Sequence, residues 1–217
     1  MCVICVSKKG IRQPNEAEIR EMWKTNPHGA GYMFNKNGRV EVHKGFMDIA
    51  DFLRSVKAEE FTADDVVVYH FRISTQAGIT PEMTHPFPLS SDPEDMKMLD
   101  YHCSVGIAHN GIIRLTSCKD PEYSDTALFI TEYLPALVRD TQDINDKRVK
   151  RAIKALIDSK MVLLNEEGDI SIIGDFWAND DGLMFSNRHH LPQRDFQRTF
   201  SLGELYGYQY KTAKSYR

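Results

Sequence analysis

Cys2 could carry chemistry that few other positions allow. Removal of Met1 would leave a thiol and a free α-amine on one residue, at the head of the run Met1-Cys2-Val3-Ile4-Cys5-Val6. An α-amine has an ordinary pKa of about 7.7 to 8, near enough to neutrality to take the thiol proton without a catalytic histidine. The plain alternative is that Cys2 is an apolar residue of an N-terminal strand.

Four polar clusters farther along bear on that choice, and three of them follow apolar runs or sit at an expected helix start. His70-Phe71-Arg72-Ile73-Ser74-Thr75 follows a valine run, and the planar fork of Arg72 suits a carboxylate. Thr84-His85-Pro86-Phe87 lies in a long polar connection. His109-Asn110-Gly111 follows Val105-Gly106-Ile107-Ala108, where an Asn amide beside a Gly backbone N–H offers two donors to an oxyanion. Ser124-Asp125-Thr126 stands at an expected helix start. Each also has an ordinary reading: Arg72 as a surface ion pair, Asn110-Gly111 as a hairpin turn, Asp125 as a helix cap.

The elements that must position these residues alternate between strand and helix. Residues 2–7 read as a short strand, and Asn15 with Glu18 three residues on predicts a capped helix to about Lys24. Gly31-Tyr32-Met33-Phe34 and Arg39-Val40-Glu41-Val42 flank Asn37-Gly38, a pair suited to a tight hairpin. Asp48 is placed to cap a helix carrying Ile49, Phe52, Leu53 and Val56, and Val66-Val67-Val68-Tyr69 reads as a buried strand. Residues 74–101 are rich in Ser, Thr, Pro and acidic groups, which predicts a functional or mobile loop. Helices are expected from near Ser124 and from about Asp146 to Ser159, then strands at Met161–Leu164, Ile170–Ile173 and Leu183–Phe185.

Composition narrows the class. The chain has 217 residues, 41% hydrophobic and 27% charged, which is globular, and its net charge of −4 gives no global reason to expect nucleic-acid binding. No apolar run approaches the roughly 20 residues needed to span a bilayer, and Lys8, Lys9 and Arg12 lie on the wrong side of the N-terminal apolar run for a signal peptide. A cytoplasmic location is the default expectation. Four cysteines, Cys2, Cys5, Cys103 and Cys118, are too few for a disulfide scaffold. Cys2-Val3-Ile4-Cys5 is formally a C-x-x-C, but strand alternation would send the two thiols to opposite faces, so no metal is expected.

Taken together, Cys2, His70-Phe71-Arg72-Ile73-Ser74-Thr75, His85-Pro86, His109-Asn110-Gly111 and Ser124-Asp125-Thr126 closely resemble, in order, the motifs of class II glutamine amidotransferases, the glutaminase domains of the N-terminal nucleophile hydrolase superfamily. Asn26-Pro27-His28-Gly29-Ala30-Gly31 also looks like a family motif that leads into a strand. The resemblance covers roughly residues 2–190 and implies an α+β fold, a four-layer αββα sandwich of two mainly antiparallel sheets. It implies one amidotransferase domain over 1–190, followed by a tail over 191–217.

The resemblance further implies that Cys2 attacks the side-chain amide of L-glutamine, with its α-amine shuttling the proton, to release ammonia and then glutamate. Asn110 and the Gly111 N–H would hold the oxyanion. Arg72 and Thr75 would contact the substrate carboxylate, Asp125 would take its ammonium, and His85 would shape the loop closing over the site. No cofactor is implied. Well-known members join this domain to a second one that consumes the ammonia; here the 27 residues of 191–217 are too short for that, so a separate ammonia-accepting synthase or solvent is expected. Ile73 and Gln76 stand where several members have an aromatic and a histidine beside the arginine.

Two other readings stay open: a non-catalytic glutamine sensor or interaction protein, and an amidohydrolase acting on a different amide. From Arg188 to Arg217 the chain has six Lys/Arg against two Asp/Glu, interleaved with Phe196, Phe200, Tyr206, Tyr208, Tyr210 and Tyr216. Such a tail could contact a partner, or be a solvated terminus.

Overall fold

The N-terminal strand β1 (Val3–Ser7) pairs antiparallel with two strands that are distant in sequence, β4 (Val67–Phe71) and β11 (Met184–Phe185). The computed structural model describes residues 1–74, 78–114 and 122–191. Within these the fold is α+β, with two antiparallel sheets. The larger runs β10-β11-β1-β4-β2-β3-β6 and the smaller β5-β7-β8-β9, where β2 is Ala30–Lys36, β3 Arg39–Phe46, β5 Phe87–Pro88, β6 Asp100–Cys103, β7 Val105–Asn110, β8 Lys160–Asn165, β9 Ile170–Ile173 and β10 Trp177–Ala178.

Strand alternation sorts the core into three sets. Val3, Cys5, Tyr32, Tyr69 and Phe71 pack under helices α1 (Glu16–Thr25) and α2 (Ile49–Ala58) through Ile19, Met22 and Phe52. Their neighbours Ile4, Val6, Met33, Val40, Val42 and Val68 point the other way and meet Ala108, Val162 and Leu164 of the smaller sheet. The far face of that sheet, Val105, Ile107, Met161, Leu163 and Ile173, is covered by Phe129 and Ile130 of α3 (Asp125–Glu132) and by Ile153 and Ile157 of α5 (Lys147–Ile157). The packing order is therefore helix, sheet, sheet, helix.

Local signals account for most element ends. Asn15 accepts from the Glu18 N–H while the Glu18 carboxylate accepts from the Asn15 N–H, the expected capping box. Asn37 and Gly38 adopt φ of 53° and 71°, the left-handed pair that lets β2 and β3 join through a tight turn. Asp48 and Asp146 cap α2 and α5. A short helix, α4 (Leu134–Leu137), follows α3 with Pro135 in its first turn. Among the described residues no helix is long and apolar enough to cross a membrane.

Two expectations need revision. The valine strand runs on through His70 and Phe71, so the first polar cluster begins inside the sheet rather than after it. The connection after Ser74, expected as one long loop, carries β5, a 3-10 turn at Pro93–Lys97 and β6. Buried Lys44 anchors it, donating from Nζ to the carbonyls of Glu82 (2.8 Å) and Met96 (2.7 Å), with the ammonium 4.0 Å from the centre of the Phe87 ring. Thr84 adds a second tie, its Oγ1 accepting from the Gly45 N–H. Thr75, Gln76, Cys118 and the tail from Pro192 lie outside the described residues.

Candidate functional site

Cys2 immediately precedes β1, on the side of the alternation shared with Ile4 and Val6, whereas Cys5 is buried beneath the helices. The two thiols thus face opposite ways, as the spacing predicts. Half-buried Cys2 is bracketed by one backbone unit: its Sγ accepts from the Ile73 N–H at 3.4 Å and donates to the Ile73 carbonyl at 3.6 Å. Burial pushes the thiol above its ordinary range, against the opposing effect of the Ile73 hydrogen bond and the positive charges of the N-terminus and Arg72. A sulfur so buried favours its protonated form, and any nucleophilic attack by it would need a base.

Asn110 ends β7 on the same inter-sheet side. Cys2, Ile73, Asn110 and Gly111 line one cleft of about 550 Å³, together with Met1, Ile112, Arg114 and residues 156–160. Gly111 is required there for two reasons. Its φ is +155°, and an added Cβ would lie 2.4 Å from the Cβ of Ser159. The sequence-predicted nucleophile and both predicted oxyanion donors are thus brought to one place.

Arg72 is buried and follows β4, donating from Nη1 to the Gly78 carbonyl at 2.9 Å. It does not line the cleft, yet it lies within electrostatic reach of both Cys2 and Asp125, which partly offset the lowering of its pKa by burial. The Asn26–Gly31 segment holds this corner: the Arg72 N–H donates to the Gly29 carbonyl at 2.8 Å, the His28 N–H to the Arg72 carbonyl at 2.9 Å, and the Ser74 N–H to His28 Nδ1 at 2.9 Å.

The Ser124-Asp125-Thr126 cluster meets His109-Asn110-Gly111 through side chains. Ser124, rather than Asp125, is the helix cap, accepting from the Ala127 N–H. Asp125 accepts from the Ile113 N–H at 2.6 Å and the Thr126 N–H at 2.8 Å, which fixes the chain just past Gly111. His109 lies 2.8 Å from Thr126 Oγ1 and 2.7 Å from Ser159 Oγ. His85 sits in the interior, its ring 4.3 Å from that of His70 and 4.6 Å from Phe87, away from the cleft lining.

Residues that the sequence did not single out complete the frame. The Ser186 Oγ accepts from the Ile4 N–H at 2.9 Å and lies 2.8 Å from the Asn110 side-chain nitrogen, while Asn187 donates to the Cys2 carbonyl and Lys160 to the Ser186 carbonyl. Their signal was available: Ser186-Asn187 is a polar pair directly after an apolar run, as His109-Asn110 is in the sequence. Comparison with protein-family models finds no family that matches this chain, and comparison with curated proteins finds no relative.

Three buried imidazoles, His70, His85 and His109, surround this region. Burial holds His70 and His109 down to about 3, and pushes His85 down as well. The native state therefore refuses protons that the unfolded chain takes up below about pH 6.5, so stability is full above that pH and falls as pH drops toward 3. Each such histidine steepens the loss by up to about 1.4 kcal/mol per pH unit. Urea unfolding at pH 7, 6, 5 and 4 checks this; a flat profile from 6.5 to 4 would contradict it. Gly111→Ala should lower stability by about 1–3 kcal/mol, read as a lower urea midpoint at pH 7.

Proposed function

We propose that this chain is a class II glutamine amidotransferase domain with the N-terminal nucleophile hydrolase fold, hydrolysing the side-chain amide of L-glutamine after Met1 is removed. The observation that carries the reading is the convergence of the Cys2 thiol with Asn110 and Gly111 on one cleft, with Arg72 and Asp125 held close by. The layer order and the antiparallel sheets support the fold part of the proposal.

The Cys2 α-amine takes the thiol proton, and the sulfur adds to the amide carbon to give a tetrahedral oxyanion. The Asn110 amide and the Gly111 N–H stabilise that charge, worth roughly 3–4 kcal/mol per donor in comparable acyl-transfer sites. Collapse breaks the C–N bond as the α-ammonium gives its proton to the leaving nitrogen, which leaves as ammonia. Water then attacks the γ-glutamyl thioester, again with the α-amine as base, and glutamate departs with the thiol restored.

Recognition of the amino-acid end needs one cation and one anion, which Arg72 and Asp125 supply. Arg72 would exchange its Gly78 carbonyl contact for the substrate carboxylate, and Thr75 is a proposed second carboxylate contact. Buried His85 would act by holding the 78–88 segment against His70. Ammonia would go to a separate synthase or to solvent.

Glutamate and ammonia release from glutamine by Met1-processed protein is the test. The two products should appear in equal amounts, Cys2→Ala should abolish both, and Asn110→Ala should lower kcat about 100- to 1,000-fold. Glutamine binding without release would instead support a sensor, and turnover unaffected by Arg72→Ala would point to a different amide.

A further inference from the structure

Ser186 follows β11, is 1% exposed, and ties the two sheets together beside the nucleophile. Its N–H donates to the Ile4 carbonyl at 3.0 Å and its Oγ accepts from the Ile4 N–H at 2.9 Å, so it continues the β1 pairing by one residue. Its carbonyl accepts from Lys160, the cross-strand partner of Asn110 in the smaller sheet. Its hydroxyl also contacts the Asn110 side chain at 2.8 Å.

As placed, Asn110 turns its Nδ2 toward Ser186, and Oδ1 is buried with no hydrogen-bond partner. The Ser186 oxygen then accepts twice, while its own proton finds no acceptor among the described residues. The two ends of an amide occupy nearly the same space, so exchanging them costs no volume. After the exchange the Ser186 hydroxyl donates to Oδ1, and Nδ2 takes the unpartnered position. An amide N–H left there has a strong reason to meet an acceptor that develops during reaction.

We propose that Ser186 is a positioning residue that orients the Asn110 amide, donating its hydroxyl proton to Oδ1 so that Nδ2 is available to the oxyanion formed at Cys2. This rests on the glutaminase reading of the site. Asn187 assists by fixing the Cys2 carbonyl, which holds the nucleophile in register with that donor.

The test is a double-variant cycle on the Met1-processed full chain, with kcat and KM for glutamine measured for wild type, Ser186→Ala, Asn110→Ala and the pair. Ser186→Ala should lower kcat roughly 10- to 100-fold and leave KM within about twofold, because the loss is confined to the transition state. The pair should be no slower than Asn110→Ala alone, since Ser186 acts through Asn110. If Ser186→Ala loses its fold, Ser186→Cys serves in its place, filling the space while donating only weakly. Unchanged kcat, or losses that multiply in the pair, would overturn the role of Ser186 while leaving the glutaminase reading intact. No glutamate release by wild type would overturn both.

Discussion

The register in which β1 pairs with β4 and β11 is the constraint on which the cleft depends. Val3 lies opposite Phe71, Ile4 opposite His70 and Cys5 opposite both Tyr69 and Phe185. A slip of one residue would turn Cys2 toward the helices and bring Cys5 to the inter-sheet face. The slip is opposed by packing on both faces, since Val3 and Cys5 fill the helix side while Ile4 and Val6 fill the space between the sheets. The same register carries Ile73 to Cys2, because Arg72 and Ile73 continue β4 past Phe71. Ser186, continuing β11, closes the other side by its two hydrogen bonds to Ile4. Cys2 is thus placed by three strand ends, with Arg72 and Ile73 following β4 and Ser186 following β11.

Burial keeps several titratable groups of this region neutral. His70, His85 and His109 are held uncharged by burial, and the Cys2 thiol is held protonated for the same reason. None of the three imidazoles hydrogen-bonds the sulfur: His70 lies 3.0 Å from the His109 carbonyl, His109 contacts Thr126 and Ser159, and the His85 ring packs against that of His70. A thiol that starts protonated, and whose hydrogen bonds among the described residues are to the Ile73 backbone rather than to an imidazole, is suited by a base carried on its own residue. In the proposed reaction that base is the α-amine of Cys2, whose ordinary pKa of about 7.7 to 8 matches neutral operation.

Much of the fold was legible because its signals are local. The Asn15–Glu18 capping box, the Asn37-Gly38 turn and the caps at Asp48 and Asp146 each depend on residues a few positions apart. The alternation in Val3–Val6 was enough to separate Cys2 from Cys5. What escaped the sequence acts over long separations: Lys44 pins a connection at Glu82 and Met96, and Ser186 reaches Ile4 across 182 positions. A lysine inside an alternating strand reads as solvent-facing until the carbonyls that receive it are known. Cys2, Asn110 and Gly111, named from sequence, do line one cleft, whereas His85 is buried away from its lining and Thr75 lies outside the described residues.

The central claim is covalent: an acyl group passes through the sulfur of a Cys2 that begins the processed chain. Intact-mass measurement of protein mixed with glutamine and quenched in acid tests it most directly, followed by mapping of the modified peptide. The account predicts a chain starting at Cys2 that carries a γ-glutamyl group on that residue while the sample is kept acidic. Glutamate release by protein that still carries Met1, or by processed protein in which the glutamyl group is found on another residue, would contradict it.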